Sequence, residues 1–190
     1  MDNDNPFAAR LSLRIQDLRS ARNMTLEALA ERSGLSRATL SRIERGETSP
    51  TAAQLGRLCA VFELTMSQLL MPLEARAPEL VPADRQSVWV DPETGFRRRV
   101  VSPPSPDLAL ELMRGELPAG QTIDYPVPPV TALEHHLWML SGTLEFTHAG
   151  IRHHLAAGDC LRLQISGPNH FRAPGPYSAV YLIAIARRTK

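Results

Sequence analysis

The sequence predicts two unlike parts: an α-helical N-terminal domain and, after it, an all-β domain of barrel or sandwich type. Three observations carry this. Apolar residues recur at helical spacing from residue 6 to residue 71. From residue 86 to residue 190, short apolar stretches are separated by turns rich in Pro and Gly. Between the two, residues 72–85 hold three prolines and no periodicity, which is the composition of a linker. A chain of 190 residues is long enough for two small domains.

The helical part opens with Phe7, Leu11, Ile15 and Leu18 on one stripe. Leu26, Leu29 and Ala30 form the next apolar face, then Leu40 with Ile43, then Leu55, Leu58 and Phe62. Each helix has a start signal. Thr25 precedes "LEALAERSG" and Ser36 precedes "RATLSRIERG", each with a hydroxyl to accept from a free backbone N–H. Ser49-Pro50 opens "TAAQLGRLCAVF", with Pro50 as first helical residue. Thr65 and Gln68 make a capping box before "LLM". Gly34 and Gly46 follow helical stretches, where a left-handed residue closes a helix.

In the β part, "SVWV" and "RRRVV" flank the turn "DPETG". "LALELMRGEL", "HHLWML", "TLEFTH", "IRHHL", "CLRLQI" and "AVYLIAIA" are the further strands, divided by turns such as "PAG", "AAGD" and "APGP".

Composition excludes more than it assigns. Net charge is +1, so bulk charge favours no partner, but the first 71 residues carry nine arginines and no lysine or histidine. No apolar run approaches the ~20 residues of a membrane helix. The acidic, polar start "MDNDNPFAAR" is not a signal peptide, and a cytoplasmic protein without membrane contact is expected. Cys59 and Cys160 are far apart and form no CxxC, which fits a reducing compartment with each as a small core residue.

"LEALAERSGLSRATLSRIERG" reads as helix, tight turn, helix. Leu40 and Ile43 point inward in the second helix, with Leu35 packing ahead of them. Arg37, Ala38, Ser41, Arg42 and Arg45 share the opposite face. An apolar back and an Arg/Ser front suit the major groove of double-stranded DNA, where arginine forks onto guanine or meets phosphate. The stretch "RIQDLRSARNMTLEALAERSGLSRATLSRIERGETSPTAAQLGRLCAVFELTMSQLL" closely resembles the phage-repressor-like (XRE-type) helix-turn-helix domain, most specifically in "SRATLSRIERGETSPT". The resemblance implies five helices, with the third, 36–44, in the major groove. It implies base contacts from Arg37, Ala38 and Arg42, and phosphate contacts near Thr25, Ser36, Thr39 and Arg45. It also implies that Arg19 pairs with Glu44 and is not a DNA contact. Such domains bind two half-sites as dimers, so a homodimer is expected, held by the C-terminal part.

Residues 86–190 resemble a cupin, a jelly-roll β-barrel, through "ELPAGQTIDYP", "EHHLWMLSGTLEF" and "HHLAAGDCLRLQISGPNHFRAPG". Metal-binding cupins carry two histidines, a glutamate and a third histidine. Here the first two positions fall on Pro126 and Pro128, the glutamate position on His135, and the last histidine survives as His170. Adjacent strand residues point to opposite faces, so His135 and His136 do not share one ion. His135 and His170 alone fall short of the three or four protein ligands usual for zinc. No cofactor and no resident metal are therefore expected, with a His135–His170 site as the weak alternative. In the cupin register His135, Leu137 and Met139 face inward, while His136, Trp138 and Leu140 face outward, where dimers form. Tyr125, His135, Leu137, Met139, Phe146, His170 and Tyr181, with Arg162 for a carboxylate, are the candidate effector pocket.

The expected protein is a dimeric transcriptional regulator, a repressor by expectation, that binds a pseudo-palindromic operator. Its cupin senses a small metabolite, and ligand shifts the population between dimer geometries. Two alternatives stand beside it: a metal-dependent cupin oxygenase or isomerase with an appended DNA-binding domain, and a repressor that responds to no ligand.

Overall fold

The computed structural model describes residues 6–70, 78–128, 130 and 133–187. Residues 72–77 of the expected linker lie outside the described residues. Among the described residues there are five helices: α1 (Pro6–Ala21), α2 (Leu26–Ser33), α3 (Arg37–Glu44), α4 (Ala52–Phe62) and α5 (Met66–Leu70). The stripes behave as their spacing requires. Leu11, Ile15, Leu18, Leu29, Leu40, Ile43, Leu55, Leu58 and Phe62 are all buried.

The caps are made as expected at three helices. Thr25 Oγ1 accepts from the Ala28 N–H, and Ser36 Oγ accepts from the Thr39 N–H. At α5, Thr65 and Gln68 exchange bonds of 2.9 and 3.1 Å. Gly34 closes α2 at φ 67°. At α4 the expectation is corrected. Thr51 is the cap, and it forms a full capping box with Gln54, so Pro50 lies outside the helix. The box satisfies two otherwise orphaned N–H groups, which a Ser-Pro start does not match.

The β part has ten strands among the described residues, named in chain order: β1 (Val88–Val90), β2 (Arg97–Ser102), β3 (Leu110–Leu117), β4 (Thr122–Tyr125), β5 (Leu133–Ser141), β6 (Thr143–His148), β7 (Ile151–Ala156), β8 (Cys160–Ile165), β9 (Asn169–Arg172) and β10 (Ala179–Arg187). They form a six-stranded sheet, β1-β2-β3-β10-β5-β8, and a four-stranded sheet, β4-β9-β6-β7. Their inner faces meet in a core that includes Met113, Leu117, Leu137, Phe146, Phe171 and Tyr181. β4 and β9 were not among the strands expected from sequence. Each has four residues, at least half of them polar, and they are strands because β9 pairs with β4 on one side and β6 on the other. Cys59 is buried as expected, with its thiol pushed up to about 12 by burial. Cys160 is exposed instead, since it shares the outward parity of Arg162 and Gln164 along β8.

Helices and sheets share one apolar cluster, which runs from Leu29 and Leu55 through to Phe146 and Tyr181. Helix α4 lies against β4 so closely that a Cβ on Gly56 would stand 2.8 Å from Tyr125 Cδ1. Three polar links flank this seam. Asp91, only 3% exposed, holds its own β1–β2 turn through Oδ1, which accepts from the N–H groups of Glu93 and Thr94. Its Oδ2 accepts from the Ala52 N–H at 2.6 Å, at the start of α4. A carboxylate there meets both a free N–H and the positive end of the helix. Thr65 Oγ1 donates to Glu111 at 3.0 Å, and an Arg98 Nη2–H donates to Ser67 Oγ at 3.3 Å.

Gly56→Ala tests the seam, because helix propensity and packing oppose each other there. Alanine is favoured in a helix by up to ~1 kcal/mol, whereas overpacking costs about 1–3 kcal/mol. The expected result is a lower urea midpoint, partly recovered by Tyr125→Leu in the same chain. A higher midpoint for Gly56→Ala alone would remove the close approach as a constraint.

Candidate nucleic-acid interface and cavity

The outward face of α3 carries the residues expected of it. Ser36, Arg37, Ala38, Arg42 and Arg45 are exposed, Thr39 and Ser41 are half-buried, and Thr25 is exposed at the start of α2. Leu40 and Ile43 anchor the opposite face at zero exposure. The face is partly self-paired. Arg37 Nε lies 2.6 Å from Glu27, Arg45 pairs with Glu47 and also donates to Ser41, and the Ser36 and Thr39 hydroxyls bond each other at 2.8 Å. Exposed pairs of this kind are worth only ~0–1 kcal/mol, so a phosphate can replace the acidic partner at small cost. Arg42 makes no ion pair among the described residues, although its charge helps to hold the Glu47 carboxyl down.

The implied Arg19–Glu44 pair is present and bidentate, at 2.7 and 2.9 Å. A further Arg19 N–H reaches the Met24 carbonyl at 2.7 Å. This fork ties α1 to the last residue of α3, so Arg19 orients the helix and does not stand free on its outer face.

A cavity of about 60 Å³ lies between the sheets and the helices. Of the expected pocket residues, Tyr125, His135 and Tyr181 line it. Leu137, Met139 and Phe146 are buried as core and do not reach it. Two expectations are corrected. Arg162 is exposed on the outer face of the six-stranded sheet, opposite His136 in register, because only Leu161, Leu163 and Ile165 of β8 have inward parity. His170 also faces outward, between the inward Asn169 and Phe171, and its Nδ1 lies 2.6 Å from Asp124. His135 and His170 are therefore on opposite sides of a sheet, and the weak metal alternative loses its geometry. Among the described residues no cluster of His, Cys, Asp and Glu has the form of a metal site. His135 and His136 do point to opposite faces.

Sequence reading missed the cavity's principal charge. Arg98, 6% exposed, turns its side chain into the cavity from β2. The signal was its parity, since Arg98 and Val100 alternate with more exposed neighbours. Also missed were Asn169 and three helical residues, Gly56, Thr65 and Met66, that complete the wall. Gly115, opposite Arg98, leaves room for the Tyr181 ring, since a Cβ there would stand 2.4 Å from it. Burial holds His135 down to about 3, with the charge of Arg98 adding to the effect, so its imidazole is neutral. Burial pushes the Tyr125 phenol up to about 12, and Tyr181 upward as well. The polar lining is thus one fixed cation among neutral donors and acceptors.

The fold and this site define a class: a helix-turn-helix module joined to a two-sheet β domain. Residues 15–69 match the family model described as Helix-turn-helix, HTH_3. The HTH-type transcriptional regulator SutR of Escherichia coli K12 is 26% identical over 89% of this chain and 90% of its own length. An HTH_3 family transcriptional regulator from Vibrio cholerae has the same fold, with a TM-score of 0.77 at 24% identity over 97% of this chain and 98% of that one. A cupin_2 domain of an XRE family transcriptional regulator from Enterobacter cloacae aligns with 50% of this chain and 98% of its own, at a TM-score of 0.47 and 17% identity. Residues 15–69 are accordingly a helix-turn-helix domain, and the chain as a whole shares the fold of the Vibrio cholerae protein. Among the described residues no helix is long and apolar enough to cross a membrane.

His135 makes stability pH-dependent with a definite sign. Its folded value, about 3, lies below the ordinary 6.5. Below pH 6.5 the unfolded chain takes up a proton that the folded chain refuses, so stability falls as pH drops from 6.5 toward 3. Urea midpoints between pH 7.5 and 5 are expected to decline in the wild type and to decline less in His135→Gln.

Proposed function

We propose that this regulator binds a pseudo-palindromic DNA operator as a homodimer, as a repressor, and that its cupin cavity senses a small molecule. The observation that carries the reading is the outward face of α3, with Arg37, Ala38 and Arg42 exposed over a back made of Leu40 and Ile43. Thr25, Ser36, Thr39 and Arg45 lie at or near helix ends, where hydroxyls, N–H groups and a guanidinium meet phosphates, and Ser41 stands on the same outward face. The Arg19–Glu44 fork supports the same reading, since base readout needs a helix held at a constant angle.

A dimer is favoured by the outer face of the six-stranded sheet, where Trp138 is 49% and Leu140 40% exposed on β5. Large apolar residues side by side on a sheet face are the usual core of a subunit contact. The cavity is read as a binding site and not a catalytic one. Pro126 and Pro128 stand at the first two ligand positions of the metal-binding pattern, and His170 faces away from the cavity. A DNA-binding regulator of this kind acts in the cytoplasm.

The decisive test is capture of fragmented genomic DNA by the purified protein at physiological salt, followed by sequencing. Enrichment of a few promoters that share a two-fold-symmetric site is expected, and retention of all DNA alike would sink the reading. On the site so found, Arg42→Ala should lose about 1–3 kcal/mol and relax one base position. Equal weakening on every DNA would assign Arg42 to phosphate instead. Trp138→Asp should convert the sedimenting dimer to monomer and weaken operator binding, and an unchanged dimer would move the interface elsewhere.

A further inference from the structure

The cavity is built around a guanidinium with unmet hydrogen-bonding capacity. Arg98 is buried, and its Nε has no hydrogen-bond partner among the described residues. Its cross-strand neighbour Trp89 holds a second buried donor, Nε1, that is likewise unpartnered. A buried cation requires an acceptor, and leaving it without one is costly. Glu111 does not supply it by a direct hydrogen bond. Glu111 accepts from Thr65, while Arg98 donates to Ser67. Burial pushes the Glu111 carboxyl upward.

The rest of the wall limits what the acceptor can be. Phe96, Met113, Ile165, Phe171, Ile183 and Ile185 make it largely apolar. A space of about 60 Å³ is well below the ~150 Å³ that admits benzene. Only a molecule of a few non-hydrogen atoms fits, with one anionic end and one apolar end.

We propose that the cavity takes a short-chain aliphatic carboxylate, its charge on Arg98 and its tail against the apolar wall, and that occupancy acts on the DNA-binding domain directly through α4 and α5. This rests on the reading of the cavity as the effector site. The coupling follows from who builds the wall. Gly56 of α4, Thr65 before α5 and Met66 of α5 line the same space as Arg98. Tyr125, a wall residue, is the one on which Gly56 rests. A carboxylate on Arg98 competes with Ser67 for the guanidinium, and so alters the Arg98–Ser67 bond that, with Thr65–Glu111, keys α5 to the barrel. The signal therefore does not need to pass through the dimer contact.

The test is calorimetric titration of the full chain with sodium acetate and propionate, against acetamide and propionamide at matched ionic strength. Each acid is expected to bind at least tenfold more tightly than its amide. Arg98→Met should bring that ratio to about one, and Arg98→Lys, which keeps the charge, should restore part of it. Operator affinity of the wild type, read by fluorescence anisotropy on a captured promoter, should shift at saturating propionate, and the shift should shrink in Ser67→Ala. Amides that bind as well as acids would overturn the carboxylate assignment while the cavity stands as a binding site. No binding by either would overturn both. Acid binding with no change in operator affinity would overturn the direct coupling.

Discussion

Helix α4 rests on strand β4 with no side chain between them at Gly56, and the rest of the molecule is arranged around that contact. Any Cβ at Gly56 would meet the Tyr125 ring. The approach lets one apolar cluster run through both parts of the chain, so the two do not behave as beads on a linker. Asp91 reinforces it economically. A single carboxylate closes the β1–β2 turn with one oxygen and caps α4 with the other. The turn that starts the barrel and the helix that follows α3 are thus held by the same side chain.

The seam explains why the cavity is composite. Its floor is aromatic, with Phe171 packed edge-on against both Tyr125 and Phe146, at ring separations of 5.8 and 4.7 Å. Its roof is helical. A space closed by residues from both parts senses their relative placement by construction, because moving one part changes the space and filling the space strains the seam. Placing a buried arginine of that space beside the α5 contact concentrates charge where displacement has most effect.

The outward face of α3 is arranged on the opposite principle. Its arginines are held loosely, by exposed ion pairs with Glu27 and Glu47, whereas the helix beneath them is held firmly by the partly buried Arg19–Glu44 fork. Weak pairs keep the guanidiniums extended and ready to exchange partners. The strong pair fixes the angle at which α3 is presented.

The sequence by itself determined the helices, most of the strands, and the outward face of α3, because periodicity, caps and strand parity are local properties. Parity also placed His135, Leu137 and Met139 inside and Trp138 outside. It was misapplied at Arg162 and His170, where chemical suitability for a pocket outweighed the alternation along β8 and β9. It was available but unused at Arg98. Only the tertiary structure decided the rest. β4 and β9 are strands because β9 pairs with β4 on one side and β6 on the other, which four-residue segments cannot announce alone. The cavity's helical wall, from Gly56, Thr65 and Met66, depends on residues 32 to 69 positions apart in sequence from Arg98 and Tyr125 meeting at one seam. No periodicity within either part records which face of one will cover which end of the other. That choice is made by shape and burial, once both parts exist.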